Sequence, residues 1–203
     1  MTKIMTPSQN MTDGQIDKVT AKLRDALRKH QGELSSEPVQ QVLGTDNLGM
    51  VLFTPFRELV EMVSSMFTLN VSGINRNQTP QGALDATGRK QYTTQSVVDA
   101  MPRGEGENAE LKFFELDYEP TTTELYTEYE RRGLKADPFA LSKHMEDDPA
   151  FADDRPVVCQ WDCDKDGRAS YVVFARWGGG RSVLVNRLDN RWLRFSRFAG
   201  VCK

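Results

Sequence analysis

The sequence predicts an α+β protein: N-terminal and central helices packed on an antiparallel sheet, with a C-terminal four-stranded β-meander. Three observations carry this. Apolar residues recur at helical spacing through much of the first 150 positions, beginning with Ile16, Val19, Leu23, Ala26 and Leu27. After Pro156 the pattern changes to short β-branched and aromatic runs parted by Asp-Gly, Gly-Gly-Gly and Asp-Asn turns. The charges also fall into three unlike blocks. Residues 1–104 carry 11 basic and 10 acidic side chains, residues 105–154 carry 5 and 15, and residues 155–203 carry 10 and 4. The last block holds all three tryptophans.

Residues 1–11 read as a disordered polar tail, in which Met5 and Met11 are alternative starts. The rest, 12–203, reads as a single domain with a helical, acidic part (12–154) and a basic meander (155–203). Thr12 and Gln15 form a capping box for the first helix, and Gly32 supplies its stop. A short helix over 37–43 ends at Gly44. A more apolar helix covers 47–66, restarting at Thr54-Pro55 because proline suits a first turn. Phe67–Val71 alternates as a strand. Thr79-Pro80 opens a brief helix ended by Gly88, and Thr94 opens another stopped by Pro102. Leu111–Tyr118 is a second strand, able to pair with 67–75. Thr121 and Glu124 cap a helix that ends at Gly133, and Asp137-Pro138 opens the next, through His144. The four meander strands are Val157–Cys163, Ala169–Trp177, Ser182–Arg187 and Trp192–Phe198. Four short strands alone are marginal, so they are expected to pack one face on the helices.

At 203 residues, 38% hydrophobic and 27% charged, the composition is that of a soluble globular protein. No run is long enough to span a bilayer and no secretory signal opens the chain, so a cytoplasmic protein without membrane association is expected. Three cysteines argue against a disulfide framework.

The chemical motifs mostly resolve to structure. Asp162–Gly167 imitates the opening of a calcium loop, but its twelfth position is Val173 and its flanks are strands; a hairpin turn explains it better. Cys159, Cys163, Cys202 and His144 lack the paired knuckles of a zinc site, so Cys159 and Cys163 read as small apolar residues. Gly82 to Lys90 misses the phosphate-loop spacing, leaving Arg89, Lys90 and Tyr92 as a small basic patch. A serine nucleophile would depend on His30 or His144, and no nucleophile elbow is present. No metal or cofactor is expected.

The basic sheet is the remaining lead. Arg176, Arg181, Arg187, Arg191, Arg194 and Arg197 are interleaved with Tyr171, Phe174, Trp177, Trp192, Phe195 and Phe198. Guanidinium groups suit phosphate, and exposed rings stack on bases. Pairing with the acidic block competes for the same arginines. Whichever of Arg176, Arg181, Arg191, Arg194 and Trp192 that pairing leaves exposed are the candidate binding residues for an acidic partner, protein or nucleic acid.

The runs Leu84–Tyr92, Val97–Gly104, Glu128–Leu141, Asp148–Asp153 and Phe198–Lys203 together resemble a family of uncharacterised bacterial hypothetical proteins, over most of the chain. The resemblance implies one intact domain type and carries over no functional residue. Two classes of function follow from the residues themselves. The first is a non-enzymatic binding protein using the basic aromatic sheet. The alternative is an enzyme whose site is assembled from dispersed carboxylates and arginines.

Overall fold

A computed structural model describes residues 11–163 and 165–203; the expected tail over 1–11 thus lies, except for Met11, outside the described residues. The chain divides into two units, Met1–Pro55 and Phe56–Lys203.

The first unit is helical. α1 (Asp13–Lys29) starts at the Thr12 capping box: Thr12 Oγ1 accepts from Gln15 N, and Gln15 Oε1 accepts from Thr12 N at 2.9 Å. A 3₁₀ turn (Gln31–Glu33) leads to α2 (Ser36–Leu43), and α3 (Leu48–Ser64) begins at the unit's end. α3 does not restart at Thr54-Pro55 but runs through it. Proline removes one backbone donor there, and Thr54 Oγ1 donates to Met50 O at 2.9 Å in the turn before. No residue of α1, α2 or α3 is buried, so their apolar stripes build no core of their own.

The second unit is a mixed sheet with helices on both faces. Its strands are β1 (Phe67–Ser72), β2 (Lys90–Thr93), β3 (Asn108–Glu115), β4 (Leu134–Lys135), β5 (Val157–Trp161), β6 (Ala169–Trp177), β7 (Gly180–Leu188) and β8 (Arg197–Cys202). They lie in the order β1-β3-β8-β5-β6-β7-β2, with β4 also pairing β8. Most pairs are antiparallel, including β1 with β3, but β2 runs parallel to β7 and β5 parallel to β8. The expected purely antiparallel sheet is corrected accordingly.

The expected four-stranded meander is also corrected. β5, β6 and β7 do follow one another in antiparallel order. The fourth strand is not Trp192–Phe198 on the β7 side. Ser196 N donates to Leu193 O at 2.9 Å, which turns the chain, and the strand starts only at Arg197. It then enters between β3 and β5.

Both sheet faces are covered, which explains the unbroken apolar run of β6, a central strand. On one face Val172 and Phe174 join Leu84 of α4 (Pro80–Asp85), Val98 of α5 (Gln95–Asp99) and Phe139 and Leu141 of α7 (Pro138–Asp147). On the other, Tyr171 and Val173 join Leu125 and Tyr129 of α6 (Thr122–Arg131), with Trp192 and Phe198. A central sheet covered on both sides can present ligands only its strand ends and the loops beside them.

Candidate functional site: an arginine and aromatic furrow

The end of the β6–β7 hairpin sets the site. Trp177 pairs with Gly180, so Gly178 and Gly179 alone make the turn, both with positive φ (58° and 84°). Two successive left-handed residues give the hairpin twist that suits the strands, and glycine takes them without steric cost. This register places Arg176 directly opposite Arg181. Like charges opposed across a ladder repel. Asp153, in the connection after α7, answers both: it accepts from Arg181 Nε and Nη2 at 2.8 and 2.7 Å and from Arg176 Nη1 at 3.3 Å. The Arg181 hydrogen bonds are the main reason that the Asp153 carboxyl is held below the usual carboxylate range, with Arg176 adding to the effect.

A second set of ions continues the surface. Arg155 and Arg197 both donate to Glu115, and Arg197 also reaches Asp154 at 3.2 Å while lying 5.3 Å from the Phe151 ring. Four guanidinium groups therefore share three carboxylates. Arg194 is exposed and makes no hydrogen bond or ion pair among the described residues.

Two cavities open here. One, of about 210 Å³, is lined by Asp153, Arg155, Arg176, Trp177, Leu193 and Phe195, among others. The other, of about 130 Å³, includes Tyr171, Asn190, Arg191 and Trp192. They share Pro156, Trp177 and Leu193, so they form one furrow. Trp177, Leu193 and Phe195 are 43%, 47% and 51% exposed.

Of the sequence candidates, Arg176 and Arg191 line the furrow, and Arg194 sits between Leu193 and Phe195. Arg181 stands behind Arg176 through their shared carboxylate. Arg191 Nη1 donates to Glu119 O at 2.7 Å. Trp192 is not an exposed ring: it is buried, edge-on to Tyr171, with Nε1 donating to Gln160 Oε1 at 3.0 Å. Trp177 holds the exposed position instead. Its place at the end of an apolar run, directly before three glycines, is the signal that could have found it. Asp153 and Arg155 carried no such signal, because what matters is which distant arginines they meet.

The other candidates are accounted for by packing. Arg89 is no surface patch but a buried anchor, donating to Pro149 O at 2.7 Å and Ala175 O at 3.3 Å, with its ordinary pKa lowered by burial. Asp162 and Gly167 take positive φ in the β5–β6 connection; Asp164 of that loop lies outside the described residues. Cys159 is buried, which pushes its thiol up, and Cys202 is exposed at the end of β8. His144 is half-buried against Phe151, at 4.5 Å between rings, and burial lowers its pKa. The buried carboxylates are matched by arginines: Asp137 by Arg76 at 2.5 and 2.7 Å, and Glu128 by Arg131 and Arg132. Among the described residues no group of three or more His, Cys, Asp or Glu is placed to hold a metal ion, and no helix is long and apolar enough to cross a membrane.

No protein-family model matches this chain, and neither does any curated protein or solved structure.

Proposed function

We propose that this chain is a non-enzymatic binding protein whose furrow around Trp177 holds an anionic partner, and that single-stranded nucleic acid fits it best. The observation that carries the reading is the juxtaposition of exposed Trp177 and Phe195 with Arg155 and Arg176 along one cavity. Four guanidinium groups there share three carboxylates, and the exposed Arg194 follows Leu193 in the chain, so the surface attracts anions. Guanidinium forks suit phosphate oxygens, and a flat exposed ring suits an unpaired base. A duplex hides its base faces, and an acidic peptide supplies carboxylates but no regular series of flat rings.

Tryptophan fluorescence titrations with a mixed-sequence single strand, its duplex and polyglutamate test this, each at low and physiological salt. The single strand is expected to bind tightest, with affinity falling steeply as salt rises, since each phosphate contact releases counterions. Trp177→Ala should cost about 1–3 kcal/mol of that affinity, the worth of one stacked base. No binding at low salt overturns the proposal. Polyglutamate binding as tight as the single strand would reassign the furrow to acidic proteins.

A further inference from the structure

The smaller cavity of the furrow is lined by polar groups that the fold itself does not use. Tyr171 and Ser196 are 1% and 2% exposed, yet neither hydroxyl makes a hydrogen bond among the described residues. A buried hydroxyl without a partner is unfavourable, so folded chains rarely keep one without a reason. Burial alone raises the Tyr171 pKa, whereas Tyr129, the other buried tyrosine, donates its hydroxyl to Ala199 O at 2.6 Å. Neither the Tyr171 nor the Ser196 oxygen is sealed from solvent, and both side chains line the cavity. Asn190, exposed at its edge, has a side-chain amide that is also unpartnered among the described residues. Val158, Val173 and Leu184 supply apolar wall. Trp192 adds only its ring, because its Nε1 is engaged by Gln160.

Size and chemistry together select an occupant. A cavity of about 150 Å³ holds one benzene ring. The space here is about 130 Å³, which suits a single six-membered ring and not the fused rings of a purine. A purely apolar ring would leave Tyr171, Ser196 and Asn190 unanswered. A pyrimidine brings carbonyl and nitrogen groups along one edge, and hydroxyl and amide groups can both give and accept hydrogen bonds. The cavity shares Pro156, Trp177 and Leu193 with the one lined by Arg155 and Arg176, so a base seated here leaves its phosphate on the guanidinium side.

We propose that the smaller cavity is a base pocket, which takes one unpaired pyrimidine of the bound strand against Tyr171, Ser196 and Asn190. This rests on the furrow being a single-strand site. It adds a preference that stacking on Trp177 cannot supply, since every base has a flat face.

Fluorescence titrations of the full chain with oligo-dT, oligo-dC and oligo-dA of about twelve nucleotides test this. Both pyrimidine strands are expected to bind about tenfold tighter than oligo-dA. The double variant Tyr171→Phe with Ser196→Ala removes two oxygens and no ring. It should bind oligo-dT about tenfold more weakly, the worth of two hydrogen bonds, and oligo-dA as the wild type does. Oligo-dA also stacks on itself, so this loss of preference in the variant decides the matter. The urea midpoint of the variant should not fall, because the fold uses neither hydroxyl. A lower midpoint would give the hydroxyls to the fold and overturn the pocket. Equal affinity of the wild type for all three strands overturns it and leaves the furrow standing, as does a preference that survives both substitutions. Binding of none of the strands at low salt overturns the furrow and the pocket with it.

Discussion

Trp192 Nε1 donates to Gln160 Oε1 at 3.0 Å, and Gln160 Nε2 donates to Thr122 O at 2.7 Å. This buried relay ties the chain before β8 to α6 across β5. Trp192→Phe removes the first donor and leaves Gln160 Oε1 buried without it, which costs about 1–3 kcal/mol. A urea titration should show that loss, while oligonucleotide affinity stays near wild type. Trp177→Ala should do the reverse. Its ring is nearly half exposed at a strand end, so stability should change by less than about 0.5 kcal/mol while affinity falls. If instead Trp192→Phe weakens binding at unchanged stability, the furrow's floor contributes to the ligand and the division between the two rings is wrong. Nothing in the residue type separates these tryptophans. Strand alternation places Trp192 and Arg194 side by side on one face, and that reading fails because the chain turns there.

Helices whose ends are defined by local chemistry are legible in the sequence. Thr12 with Gln15 and Thr121 with Glu124 satisfy backbone donors reciprocally, and Asp137 accepts from Ala140 N while Pro138 brings no donor to satisfy, so these helices start where the side chains say. β2 and β4 are not legible: at four and two residues they owe their conformation to partner strands distant in sequence. The position of β8 is not legible for the same reason, since its neighbours β3, β4 and β5 come from three separate segments. Gly200 records how tightly that strand is enclosed. A Cβ there would stand 2.9 Å from Lys135 O and 3.0 Å from a Tyr129 ring carbon. Tyr129 in turn donates its hydroxyl to Ala199 O at 2.6 Å, which fixes the ring. Backbone and a pinned ring leave little room to yield, so Gly200→Ala should destabilise the second unit by about 1–3 kcal/mol, read as a lower urea midpoint. A variant as stable as wild type would mean that β4 moves away from β8 freely.

Half of the basic block's charges are answered by the acidic block inside the molecule. Arg155, Arg176, Arg181, Arg197 and Lys203 of the basic block pair with Glu115, Glu130, Asp153 and Asp154 of the acidic one. The furrow is where this pairing runs short of carboxylates, and Asp153 sets how short. Because Arg181 and Arg176 hold its carboxyl below the ordinary value of about 3.9, its contribution to stability is present above that value. It is lost as pH falls through the lower, folded value, and the same protonation releases two guanidinium groups. Asp153→Asn should reproduce that release at neutral pH. The midpoint of thermal unfolding should drop, and the acid limb of its pH dependence should lose the part that Asp153 supplies. The affinity for a single strand should rise, and each added phosphate contact should steepen the logarithmic salt dependence by about 0.7. Titration of the variant at two salt concentrations reads both effects. A fall in affinity would show that Asp153 serves the ligand by holding Arg176 and Arg181 in place, so that orientation outweighs the added charge.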